Sequence, residues 1–131
     1  MNIMQYDEIS GYATKKFGAW AEEYAAHYLE RAEYKIVERN WRYSNVGEVD
    51  IIAQSGNELI FVEVKARRTL KQGTSLEAVD RRKLTQVRKV ASAYLQDLPY
   101  RAPKIRIDVI GIYMHERKIE LKHLQGVKMW T

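Results

Sequence analysis

The chain has no cysteine among its 131 residues, which excludes disulfide scaffolds, Cys-ligated zinc and thiol nucleophiles. Proline is almost as scarce, at Pro99 and Pro103 alone, and no proline-rich linker, internal repeat or low-complexity tract interrupts the chain. No run approaches the ~20 consecutive apolar residues that a membrane helix needs. Residues 1–14 carry Asp7 and Glu8 and lack the basic start and apolar stretch of a secretory signal. These absences lead to the expectation of a cytoplasmic location with no membrane partner. What is present suits one folded domain: 46% hydrophobic and 30% charged residues, with three Trp, nine Tyr and two Phe to fill a core.

The net charge of +5 is unevenly spread. Between Lys65 and Lys89 stand nine basic residues against two acids, Glu77 and Asp80, so this segment is +7 and the rest of the chain −2. Such a segment suits a surface that meets phosphates. On charge alone, a solvated helix face accounts for it equally well.

Hydrophobic spacing sets the expected elements. Residues 1–14 show no clean period and are expected to form an irregular extension. Phe17, Trp20, Ala21, Tyr24, Ala25, Tyr28 and Leu29 follow the i, i+3, i+4 rule of a helix with one apolar stripe. Strands are predicted at Tyr34 to Tyr43, Val46 to Gln54 and Glu58 to Arg67, with Ser55-Gly56-Asn57 turning the last two into an antiparallel hairpin. A basic loop centred on Gly73 follows. A second helix is predicted from an N-cap near Asp80 to Leu98, before Pro99, with its stripe at Leu84, Val87, Ala91, Tyr94, Leu95 and Leu98. Strands at Ile105 to Tyr113 and Lys118 to Leu124 complete an α/β pattern, a mixed central sheet flanked by helices.

On a strand, alternate residues share a face. Glu63 and Lys65 therefore point one way while Val62 and Val64 point the other, and Glu48 and Asp50 share a face of the neighbouring strand. If the hairpin pairs as its turn suggests, three carboxylates and an ammonium converge beside the apolar Ile51-Ile52 and Leu59-Ile60-Phe61-Val62. Crowded, dehydrated carboxylates repel one another, and a hard cation with oxygen ligands, Mg²⁺ or Mn²⁺, relieves that conflict. A plain ion pair between Lys65 and an acid would explain the tripeptide alone. Trp20, Trp41, Tyr24, Tyr28 and Tyr94 are read as core. His27, His115 and His123 show no ligand spacing and are read as incidental, Asp108 is read as structural, and the sequence does not assign Glu48.

Asp50 with Glu63-Val64-Lys65 resembles the D…(D/E)-x-K signature of the PD-(D/E)XK nuclease superfamily. More narrowly, Gly18-x-x-x-Glu22, Asn40-Trp41-Arg42, Gly47-Glu48-Val49-Asp50-Ile51-Ile52-Ala53 and Phe61-Val62-Glu63-Val64-Lys65-x-Arg67 resemble the YraN-like bacterial family, with Lys83 and Arg106-Ile107-Asp108-Val109 fitting its later positions. That family is similar to archaeal Holliday-junction resolvases. Val49 stands where the superfamily name has proline, an absence common in the resolvase-like branch.

The resemblance implies a restriction-endonuclease-like fold over residues 15–131. It implies Asp50, Glu63 and the Val64 carbonyl as metal ligands, Lys65 as the residue that orients the water and meets phosphate charge, and Glu22 as a further acid reaching the metal or its water. It also suggests Lys83, with Gln86 beside it, as a phosphate contact, although a lysine covering the core edge fits the spacing too. Arg67, Arg68, Lys71, Arg81, Arg82, Arg88 and Lys89 would position a nucleic-acid backbone without reading sequence. The expected function is a metal-dependent phosphodiesterase on structured or branched DNA, working as a homodimer by analogy. A non-catalytic nucleic-acid-binding module of the same fold is the alternative, and a protein-interaction domain that inherited the site is a third.

Overall fold

The computed structural model describes residues 3–68, 81–101 and 104–127. Helices α1 (Ile3–Ser10) and α2 (Thr14–Arg31) precede strands β1 (Lys35–Tyr43), β2 (Gly47–Ser55) and β3 (Glu58–Arg67); α3 (Arg81–Gln96), β4 (Lys104–His115) and β5 (Lys118–Leu124) follow. Every expected strand forms within two residues of its expected limits. The expected N-cap at Asp80, Gly73 of the basic loop and Lys71 lie outside the described residues. Among the described residues, no helix is long and apolar enough to cross a membrane.

The five strands make one mixed sheet in the order β1-β2-β3-β4-β5, antiparallel except for the parallel pair β3–β4. A parallel pair needs a crossover, and α3 supplies it. Alternation along β3 divides the core. Ile60 and Val62 join Ile51, Ala53, Ile110 and Ile112 against Ala21, Ala25, Ala26 and Leu29 of α2. Leu59 and Phe61 join Val49, Ile52 and Ile107 against Leu84, Val87, Val90, Ala91 and Tyr94 of α3. Trp41, Tyr94 and Phe61 meet edge to face at centroid distances of 5.1 and 5.9 Å, so these aromatics are core, as their spacing suggested. The β2–β3 turn places Gly56 at φ +60 in its first central position, the backbone of a type II′ hairpin.

Two expectations are corrected. Residues 3–10 are helical, not irregular. Ile9 is buried with Phe17 and Met114, and Arg68 lies 4.5 Å over the Phe17 ring while donating to the Ser10 carbonyl at 3.0 Å. Tertiary contact fixes this short helix, which a local period cannot reveal. Nor is His123 incidental. Its Nε2 meets the fully buried Asp108 at 2.7 Å and its Nδ1 meets the Tyr28 hydroxyl at 2.8 Å, while Arg106 donates twice to Asp108, at 2.8 and 3.0 Å, and once to the Tyr34 hydroxyl. Gly126 N–H adds a further bond to Asp108. This network joins β4, β5, the C-terminal end of α2 and the chain entering β1, which makes Asp108 structural as expected.

Burial alone would push Asp108 up, but its His123, Arg106 and Gly126 donors hold its carboxyl below the usual value. A lowered folded pKa means that the contribution is complete above the unfolded value and is lost as pH falls through the folded one. We expect Asp108→Ala to cost about 3–5 kcal/mol at pH 7, since it removes the buried acceptor shared by Arg106, His123 and the Gly126 N–H. Urea denaturation should show the gap between wild type and variant closing only below about pH 4.

Candidate active site

The β2–β3 ladder runs from Ser55–Glu58 to Ile51–Val62 and stops there. Beyond it the strands fork. At the fork Asp50 takes over a backbone role: its Oδ2 accepts the Val64 N–H at 2.8 Å. Alternation along β2 breaks at the same residue, for Val49 packs on the α3 side and Ile51 on the α2 side although they are two residues apart. On β1, Asn40 adopts a left-handed φ of 51° between the Arg39–Ile51 and Trp41–Val49 pairs. Asparagine adopts that conformation more readily than most residues, and here its amide donates across to Glu22 Oε1 of α2 at 2.8 Å.

The fork opens a cavity of about 330 Å³ lined by Glu22, Asp50, Glu63, Lys65, Arg67 and Lys83, with Val64 and Val109 among its walls. Asp50 and Glu63 both line it, and each carboxyl shifts the other. The expected convergence of Asp50, Glu63 and Lys65 therefore holds, with Glu22 arriving from α2. Glu48 does not take part. The break in alternation carries it away, and it stands 3.8 Å from Arg42 instead. The third acid of the pocket is Glu22.

Burial pushes Asp50 up to about 6, assisted by the Glu22 charge and opposed by the Val64 N–H. Burial and then the Asp50 charge push Glu63 up to about 9. The Lys83 ammonium lies 3.7 Å from Glu63 Oε2, but its side chain is 41% exposed and its attraction does not outweigh the dehydration. Burial and mutual repulsion thus push both carboxyls of the pair up, Glu63 the further. Glu63 Oε1 is buried without a hydrogen-bond partner. Among the described residues no group of three or more acids or histidines is gathered closely enough to hold a metal by side chains alone. A metal here would rest on Asp50, Glu63 and a main-chain carbonyl such as that of Val64. That all-oxygen set suits a hard divalent cation, and the orphaned Oε1 is a donor atom in want of a positive partner.

The other basic candidates divide. Arg67 lines this cavity and donates to the Ala66 carbonyl at 2.9 Å. Arg81, Arg82, Gln86 and Lys89 line a second cleft, between α3 and residues 45–46. Gln86 is committed structurally: its amide donates to the Val46 carbonyl, and Gly47, at φ 153°, has room for it only because a Cβ there would come within 3 Å of the Gln86 side chain. Arg68 is occupied by Phe17 and Ser10. The sequence marks Asn40 only as part of Asn40-Trp41-Arg42; its hold on Glu22 comes from the fold, although an asparagine within a strand can mark a left-handed residue.

Residues 21–112 match the family described as Uncharacterised protein family UPF0102. The chain belongs to that family. Every residue lining the carboxylate cavity falls inside the matched span. UPF0102 proteins of Syntrophomonas wolfei, Fusobacterium nucleatum and Dictyoglomus thermophilum are 38%, 44% and 42% identical, covering 84%, 75% and 76% of this chain and 95%, 82% and 84% of their own. Among solved structures, Pyrococcus furiosus SfsA in complex with Ca²⁺ aligns at 17% identity and a TM-score of 0.39, over 85% of this chain. The alignment spans 63% of SfsA.

A carboxyl whose folded pKa is raised stabilises the fold below its unfolded value and loses that contribution as pH rises through the folded one. In metal-free buffer the stability of this UPF0102 protein should therefore fall from about pH 4.5 to about pH 9, the interval between the ordinary and the folded value of Glu63. Glu63→Gln should flatten the decline and stabilise the protein at pH 8 by about 1–3 kcal/mol, read from urea midpoints at pH 5 and pH 8.

Proposed function

We propose that this UPF0102 protein is a metal-dependent phosphodiesterase of the PD-(D/E)XK, restriction-endonuclease-like kind, acting on structured or branched DNA. One observation carries the reading: the buried carboxyl of Glu63, one oxygen of it orphaned, and the part-buried carboxyl of Asp50 meet at a forked strand pair, in a cavity that also holds two lysines. A protein that only packs or only binds gains nothing from such a pair, because each buried acid without compensation costs several kcal/mol, roughly.

Asp50, Glu63 and the Val64 carbonyl are the residues that would hold Mg²⁺ or Mn²⁺. When bound, such an ion polarises a phosphoryl oxygen and makes water a better nucleophile near neutral pH. The chain's own residues do the rest. The Val64 N–H fixes Asp50, so one carboxylate is aimed before any substrate arrives. Lys65 faces the charge of the phosphodiester and orients the attacking water, whose proton an ionised carboxylate of the pocket can accept. Glu22, steered by Asn40, offers such an acceptor from the α2 side. Lys83 adds a second cation at the cavity wall.

Cleavage of a panel of duplex, flap, four-way junction and single-stranded DNA with Mg²⁺ or Mn²⁺ tests the proposal. Asp50→Asn and Glu63→Gln should abolish cleavage and weaken metal binding measured by calorimetry. Lys65→Ala should abolish cleavage and leave the metal affinity within about twofold, since the lysine serves phosphate and water. A wild type that binds the panel tightly and cuts none of it would overturn the enzyme reading in favour of a binding module.

A further inference from the structure

The second cleft is absent from the mechanism above, and its make-up is specific. It measures about 630 Å³, within the ~300–1,000 Å³ range of small-ligand sites. One wall is Asn45 and Val46, from the β1–β2 turn; the other is α3, with Arg81, Arg82, Thr85 and Lys89. No acid is among the described residues that line it. Four arginines outside the cleft are engaged with carboxylates: Arg39 with Glu23, Arg42 with Glu48, Arg106 with Asp108 and Glu58, and Arg117 with Asp7. Neither Arg81 nor Lys89 has an acidic partner among the described residues, and both are exposed. Cations gathered in one concavity repel each other, and an anion relieves that.

The cleft is also built to keep its shape. Gln86, at its base, ties α3 to the Val46 carbonyl, and Gly47 lets the helix come that close. The Val46 side chain and the aliphatic stem of Gln86 give its floor an apolar surface on which a sugar or base can rest. Its position relative to the carboxylate cavity is fixed twice over. Lys83 on α3 lines that cavity while its neighbour Arg82 lines the cleft. Along the strand, Val46 and Asp50 are four residues apart, about 13 Å.

We propose that the cleft between the β1–β2 turn and α3 is a phosphate-binding subsite that holds a nucleic-acid strand a few nucleotides from the carboxylate cavity. The proposal rests on the phosphodiesterase reading for the identity of the anion. A strand lying from one site to the other follows the exposed edge of α3, with its phosphates on Arg81, Arg82 and Lys89 and no base read by hydrogen bonding. Such contacts fix register without selecting sequence.

Binding measured without divalent metal separates this subsite from catalysis. Fluorescein-labelled single-stranded DNA of about 20 nucleotides, followed by anisotropy in EDTA between about 50 and 200 mM salt, reports affinity and salt slope together. Arg81→Ala/Lys89→Ala should weaken binding at least tenfold and reduce the slope by about 1.4, two phosphate contacts at ~0.7 each. Lys35→Ala/Lys104→Ala removes the same charge at the far end of the sheet, where Lys35 pairs with Gln54 and Lys104 with Glu58, and should change affinity less than about threefold. Equal losses in the two double variants would mean a general field and overturn the subsite, as would no loss in either or no binding by the wild type. A poly-glutamate chain that binds the wild type as tightly as DNA would assign the cleft to acidic partners and overturn it too. Failure of cleavage in the substrate panel leaves these measurements unaffected, so the two readings fail separately.

Discussion

A backbone N–H that would ordinarily belong to a β-ladder is held here by a side chain. Val64 donates to Asp50 Oδ2, and this bond does three things together. It satisfies the first main-chain donor past the end of the β2–β3 ladder, which lets the strands part without leaving a buried amide unpaired. It fixes Asp50 at the fork, beside Glu63. And it forms where alternation breaks, so that Val49 and Ile51 can serve opposite cores. The cavity, its acids and the fork are one feature.

The feature is destabilising by itself. Two dehydrated carboxyls side by side, one oxygen of Glu63 without a donor, and a partly exposed ammonium 3.7 Å from the other oxygen amount to an electrostatic deficit in the middle of a sheet. The surroundings offset it without curing it. Both faces of β3 are packed, by α2 and by α3, and the Asp108–Arg106–His123 network pins β4 and β5 with a buried acid that is fully compensated. The contrast between the acids is informative. Asp108 has hydrogen-bond donors on both oxygens and is held ionised, whereas Glu63 has none on one and is held protonated. Burial raises both, and the donors decide which way each shift ends.

Much of this was legible beforehand. Period-2 and period-3.6 spacing located the five strands and the two long helices, and the face shared by Glu63 and Lys65 followed from alternation alone. The failures have particular causes. Alternation carried from Asp50 to Glu48 broke on the left-handed Asn40 and the fork, neither of which has a periodic signal. Helix α1 depends on Ile9 meeting Phe17 and Met114, a contact between distant parts of the chain. His123 and Asp108 are 15 residues apart and meet only because β5 pairs with β4. The paired strands made local arithmetic reliable, and it stopped being so wherever a side chain replaced a backbone partner.

The parallel pairing of β3 with β4 has a consequence for the order in which the molecule is made. The β2–β3 hairpin closes over two residues, so Asp50 and Glu63 become neighbours early and while still hydrated. Glu63 aligns with Val109, 46 residues further on, and that pairing must wait for α3 to cross over. Non-local pairings of this kind form late. The dehydration that gives the pocket its chemistry therefore belongs to the last steps of folding, after the hairpin has committed both acids to the same place.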